Sequence, residues 1–373
     1  VAARGRIAVS FDDPSTFVGI EHCSPRVHVS IKVNARNFRM PQLVDGQWIK
    51  DDVAASEMKN GAFHREETKF RNWITPDGGP GPDGQPGFPA EAGRYQLFVA
   101  YLCPWASRTL AMRNLKGLQD TVSVSISEPE LGEDGWRYTV AQDAGEHAPK
   151  ISFQHQLYTT SEPHYTGKVS VPVLWDRKQA RIVNNESADI IRMMNTGFDE
   201  LTGNRLDFYP EALRAEIDRW NAVIYDKVNN GVYKAGFAKT QSAYEHAVTA
   251  LFATLDTLES HLDSHRYIAG DYMTEADIRL FVTLIRFDAA YNGVFKCNLR
   301  KLEDYPNLSA YTRELYQWPG ISETVRIDHI KRGYYSIGHL NPTGIIPKGP
   351  ELDFTRPHDR GRLSGKGVFT AGA

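Results

Sequence analysis

Thiols are scarce in this chain. Its 373 residues include three cysteines, Cys23, Cys103 and Cys297, odd in number and far apart. That is no disulfide framework of a secreted domain, and it points to a reducing compartment. An excess of one charge is missing too: 43 Lys and Arg against 46 Asp and Glu leave a formal charge of -3. Nothing in that balance attracts nucleic acid or an anionic membrane. No apolar run approaches the roughly 18 residues that a membrane-spanning helix requires. The expected location is therefore cytoplasmic. The opening "VAARGRIAVSF" has the arginines and small residues of a transit-peptide tail, but Asp12, Asp13 and Glu21 follow quickly, and organellar targeting stays open.

The length suits two domains with additions. Residues 1–73 carry no sustained periodicity and read as an extension draped over the fold. Residues 74–93 are so rich in Gly and Pro that a loop is expected there. Residues 94–200 then alternate. "YQLFVAYL" is a strand, "PWASRTLAMRNLKGL" a helix opened by Pro104 and stopped near Gly117, "TVSVSISEP" a period-two strand, "KVSVPVLWD" a strand interrupted by Pro172, and "NNESADIIRMMNTGF" a helix. This is an α/β domain with one small sheet. From Pro210 the strands stop, and residues 210–335 place apolar residues at helical spacing, an all-helical domain followed by a tail at 336–373. Thr274 and Asp277 form a capping-box-like helix start, a structural feature without catalytic weight.

Cys103 stands where the first strand of the α/β domain gives way to its first helix. A thiol there sits beside backbone N–H groups that have no partner within the helix, and these with the helix dipole favour the thiolate. Arg108, one turn on, adds positive potential in this reading. A depressed thiol pKa is therefore expected. A buried structural cysteine is the competing reading. Where a dithiol enzyme has its second cysteine this chain has Ala106, so a resolving thiol must come from outside, an abundant small thiol such as glutathione. The strand edge at Val171-Pro172 suggests a cis peptide and a main chain open to a peptide ligand. Glu186 and Ser187, at the next helix start, suit the amino and carboxylate ends of a γ-glutamyl group. Cys23 and Cys297 have no comparable setting and read as structural.

The blocks "CPWASRT", Gly135-Trp136, "VPVLWD", "NNESADIIRM", "NNGVYKAGFA", "TEADIRL", "RFDAAYNGVFKC" and "NPTGII", in this order, resemble one class of glutathione transferases, the glutathionyl-hydroquinone reductases or Xi class. The resemblance implies a thioredoxin-like N-terminal domain, an all-helical glutathione-transferase C-terminal domain and a homodimer. Glutathione would be co-substrate, with no metal. Cys103 would be the nucleophile. Trp136, Lys168, Val171, Glu186 and Ser187 would bind glutathione, while Tyr233, Tyr291 and Tyr334 would line the pocket of the aromatic acceptor. Two positions depart from the class: Lys168 stands where Arg is usual, losing a bidentate fork, and Ser107 stands where His is frequent. The implied reaction removes glutathione from a glutathionyl-hydroquinone by way of a Cys103 mixed disulfide. Alternatives on the same residues are an omega-like thioltransferase or dehydroascorbate reductase, and a noncatalytic ligand-binding module.

Overall fold

Every residue of "YQLFV" is buried, so this strand has a core on both faces and needs no polar alternation. A computed structural model describes residues 41–50, 61–139 and 149–372, with the backbone of the short strands Ile7–Val9, Val18–Ile20 and Met58–Lys59. Cys23 lies outside these residues. The unit Val1–Phe38 contributes an antiparallel pair, Ile7–Val9 with Val18–Ile20, and the unit Arg39–Ala373 holds the remaining elements.

Four strands form the sheet: β1 (Tyr95–Val99), β2 (Val122–Ile126), β3 (Val173–Asp176) and β4 (Arg181–Asn184), in the order β2-β1-β3-β4. β2 lies parallel to β1, with Val124 opposite Leu97, and β3 lies antiparallel to both β1 and β4. Helix α1 (Pro104–Leu115) crosses from β1 to β2, α2 (His155–Ser161) precedes β3, and α3 (Ser187–Thr196) follows β4. Pro104 opens α1 and Gly117, at φ 65°, lies just beyond its C-cap, as expected. β3 begins only after Pro172, which has no N–H to give to a ladder.

From Arg214 to Tyr335 the chain is mainly helical: α4 (Arg214–Val223), α5 (Asn230–Gly236), α6 (Gln241–Ser264), α7 (Glu275–Leu284), α8 (Pro306–Tyr316) and α9 (Ile327–Tyr335). Two π-turns, Ile224–Asn229 and Phe287–Tyr291, break the expected continuous helices. Each adds a residue to a turn and rotates the succeeding stretch of helix, a device frequent at functional sites. α7 is buried along its whole length and packs on α1, joining the two regions. Among the described residues no helix is long and apolar enough to cross a membrane.

Three expectations change. The Gly/Pro stretch is not only loop: Trp73–Thr75 and Gly87–Pro89 pair in parallel across it. Strands do not end at Pro210, because Gly367–Thr370 of the tail pairs with Leu206–Asp207 and with Tyr272–Met273. Such two-residue strands carry no periodicity and are recruited by contact alone. The extension is partly integral, since Asn72 N–H donates to Val183 O at 3.1 Å and Asn185 N–H to Phe70 O at 3.1 Å, covering the outer edge of β4.

The capping box at α7 forms as expected, and its carboxylate does more than cap. Asp277 accepts from Thr274 N–H at 2.7 Å, Ile268 N–H at 2.8 Å and the Tyr311 hydroxyl at 2.7 Å while wholly buried. Asp277→Ala leaves three buried donors unsatisfied and should cost about 3 kcal/mol or more. Urea denaturation reads this directly, and an unchanged midpoint would refute the structural weight given to Asp277.

Candidate active site

Cys103 is the N-cap of α1, with φ -79° and ψ 120°, and its carbonyl accepts Ser107 N–H at 2.9 Å. The turn before it closes by Cys103 N–H to Ala100 O at 3.0 Å. The thiol is 7% exposed and donates to Val171 O at 3.5 Å. The Val171–Pro172 peptide is cis.

The expected depression of the thiol pKa is not met. Burial pushes Cys103 up, and this outweighs the Ala106 and Trp105 N–H groups of the helix start and the Arg286 and Arg65 guanidiniums, all of which pull it down. The helix terminus acts in the predicted direction, but removing the sulfur from water costs more. Arg108 is not among the cations at the thiol. It is buried against the Trp105 ring, 4.6 Å from its centroid, and burial with the nearby Arg279 draws its pKa down to about 9. Arg108 lies five positions after Cys103, about 1.4 turns of helix, so it faces well away from the N-cap sulfur.

Of the glutathione-side residues of the sequence reading, Lys168, Val171 and Ser187 line one cleft of about 130 Å³ with Arg65, Trp105 and Lys69, and Glu186 lies outside that lining. Ser187 opens α3, and Glu186 is its N-cap, accepting Ala188 N–H at 3.0 Å and the Thr68 hydroxyl at 3.2 Å. Trp136 does not line this cleft; it is partly buried, its carbonyl accepting Gln154 N–H at 2.9 Å. Cys103 is not itself in the lining of this cleft and meets it through Val171, whose carbonyl accepts from the thiol. A larger groove of about 540 Å³ beside Arg192, Tyr209 and Asp218 likewise has no thiol in its lining.

The three tyrosines do converge. Tyr233 and Tyr334 hydroxyls are 2.6 Å apart, and those of Tyr291 and Tyr334 are 2.9 Å apart, all buried. Burial pushes each phenol up, so all three keep their protons at neutral pH. A Cys103 thiolate would push Tyr233 further up, so the sulfur lies within electrostatic reach of that phenol. Gly333 permits the approach: a Cβ there would lie 2.4 Å from the Leu102 side chain, so α9 can press on the loop before Cys103 and bring Tyr334 in. None of the three lines the 130 Å³ cleft.

Residues 102–196 match the family described as glutathione S-transferase, N-terminal domain, and residues 241–314 match glutathione S-transferase, C-terminal domain. The chain is 50% identical over 324 residues to the glutathionyl-hydroquinone reductase YqjG of Escherichia coli, covering 86% of this chain and 98% of that protein. It is 45% identical over 313 residues to the glutathionyl-hydroquinone reductase PcpF of Sphingobium chlorophenolicum, covering 83% and 96%. The glutathione-bound structure of YqjG superposes with a TM-score of 0.77 at 49% identity, over 86% of this chain and 99% of that one. A Xi-class transferase from Natrialba magadii gives 0.79 at 44% identity, over 88% and 98%. The chain belongs to the glutathionyl-hydroquinone reductases, the Xi class of glutathione transferases.

In this member of the Xi class, sequence reasoning passed over two cations. Arg65 comes from the extension: its Nε donates to Asn230 Oδ1 at 2.9 Å, and its guanidinium lies 4.8 Å from the Trp105 ring and 5.0 Å from the Tyr233 ring. The interleaved basic and aromatic residues of "FHREETKFRNW" were its only signal. Arg286 sits in the quoted block "RFDAAYNGVFKC" but faces the cysteine only through the fold. The other described cysteine, Cys297, is wholly buried and pushed far up by burial, as a structural residue should be. Alkylation of the native protein by iodoacetamide should therefore label Cys103 before Cys297, at a rate still rising with pH beyond the ordinary thiol value of about 8.5. Peptide mass spectrometry across pH reads both, and a Cys103 midpoint well below 8.5 (about the free-thiol value) would contradict the dominance of burial.

Proposed function

We propose that this enzyme reduces glutathionyl-hydroquinones to hydroquinones with glutathione, through Cys103. The observation that carries the reading is the buried thiol at the start of α1, held against the Val171 main chain and within electrostatic reach of the Tyr233 phenol. A glutathionyl group pairing with Val171 would take the carbonyl that now accepts the thiol proton, and that contact favours the neutral thiol. Ser187 N–H at the start of α3 would receive the γ-glutamyl carboxylate, with Glu186 at its amino group and Lys168 at the cleft wall. Trp136 is retained as a flanking residue from the class resemblance alone.

The Cys103 thiolate attacks the sulfur of the glutathionyl-hydroquinone. A sulfur–sulfur bond forms, the carbon–sulfur bond breaks, and its electron pair stays on the ring carbon, which takes a proton to give the hydroquinone. A second glutathione, as thiolate, attacks the glutathionyl sulfur of the mixed disulfide, releasing oxidised glutathione and the Cys103 thiolate. The tyrosines suit the proton step. Three hydroxyls joined by two hydrogen bonds leave one O–H in surplus, and Tyr233, at one end of the chain and the phenol on which a Cys103 charge acts, is the natural donor. Arg65 over the Tyr233 ring adds positive potential where a phenolate would gather. This surrounding wall of aromatic rings favours an aryl acceptor over dehydroascorbate. The same reading takes the working unit as a homodimer, as the resemblance implies, in the reducing compartment that the scarce cysteines suggest.

Cys103→Ser should bind glutathione yet lose reductase turnover by orders of magnitude, because a hydroxyl stays protonated and attacks sulfur poorly. In the unmodified protein, substrate alone should leave one glutathionyl group on the Cys103 peptide, and steady-state kinetics should be ping-pong. Substantial activity in the serine variant, or an adduct on Cys297, would rule this mechanism out.

Tyr233→Phe keeps the ring and removes the proton donor. Its turnover should fall about 10²-fold with a glutathionyl-hydroquinone and far less with an aliphatic mixed disulfide, whose thiolate leaves without protonation at carbon. Equal losses on the two substrates would assign Tyr233 to the fold instead.

A further inference from the structure

Arg286 follows α7, outside the sheet region, and its side chain is 1% exposed. Its Nε donates to Leu102 O at 2.9 Å, Nη2 to Tyr101 O at 2.7 Å and to the Ser107 hydroxyl, and Nη1 to Val282 O at 2.7 Å. Tyr101 and Leu102 are the two residues before Cys103, and Ser107 is one turn into α1. The guanidinium thus grips the joint from both sides of the nucleophile. Among the described residues no carboxylate pairs with it. A buried cation held only by neutral acceptors retains a charge that a nearby anion can use.

We infer that Arg286 is a positioning residue for the reaction, clamping the loop that carries Cys103 and supplying, from the helical region, the positive charge that sustains its thiolate. The inference rests on Cys103 being the nucleophile. The other groups facing the thiol are Arg65 from the extension and the Tyr233 phenol from α5, whereas Arg108 of α1 faces Arg279, Glu186 and Glu275. Arg286 also lowers the pKa of Tyr291 and Tyr334, against their burial, so one cation serves thiol and hydroxyl chain alike.

The test is the pH dependence of Cys103 alkylation, from about pH 6 to about pH 10, beside turnover. In Arg286→Gln the midpoint should rise by about one unit or more, so turnover near neutral pH falls about tenfold while KM for glutathione stays within about twofold. The deficit should narrow as pH rises, and Arg286→Lys should recover much of it. Should Arg286→Gln not fold, Ser107 variants decide the matter. Ser107→Asp places a carboxylate on the guanidinium and should raise the midpoint, whereas Ser107→Asn, of equal size and neutral, should raise it less. An unmoved midpoint in folded Arg286→Gln, or equal shifts in the two Ser107 variants, would overturn the inference. The alkylation readout needs no substrate, so a failure of the reductase reading, seen as no turnover of glutathionyl-hydroquinone by the unmodified protein, is separate.

Discussion

Helix α1 has no solvent face. It packs on α3 beside the sheet and on α7 of the helical region, and most of its residues, polar Ser107, Arg108 and Thr109 included, are buried. Everything about Cys103 depends on this burial. A helix start at a surface would have left the sulfur in water with its donors; here the same geometry lies under protein, and desolvation opposes the charge that the helix end invites. The site therefore needs more than a helix terminus, and Arg65 and Arg286 bring charge from two different parts of the chain.

Those two cations also explain why the stretch 61–73 and the helical region are inseparable from the α/β core. Residues 70–72 are pinned along β4, Arg71 is bonded to Asp189 of α3 at 2.6 Å and 3.0 Å, and the stretch before them carries Arg65 over the rings of Trp105 and Tyr233. The helical region supplies Arg286 and the three tyrosines, and a π-turn ends on Tyr291. The site is an interface between segments rather than a property of one domain. For the same reason a reading confined to the transferase motifs reaches the sulfur and the peptide-binding edge but not their electrostatics.

The tyrosine chain turns packing into chemistry. In a core, a phenol must satisfy its hydroxyl, and three phenols that satisfy one another do so with one proton to spare. That arrangement is inexpensive for stability, since no hydroxyl is orphaned, and in the proposed mechanism its surplus proton goes to the ring carbon.

Local rules in the sequence determined a good deal. The apolar strand, Pro104 and Gly117 bounded α1, the Val-Pro edge became a cis peptide beside the thiol, Thr274 and Asp277 capped α7, and the quoted blocks carried the class. These features depend on backbone sterics and on residues near in sequence. Tertiary structure alone decided the rest: that burial outweighs the helix end at Cys103, that Arg108 turns away while Arg286, 183 positions after Cys103, turns in, and that the strand of the tail finds two-residue partners. The physical reason is the same in each case. Desolvation and the meeting of distant charges are set by what covers a group, and periodicity along the chain records a residue's side of its own element, not what lies on top of it.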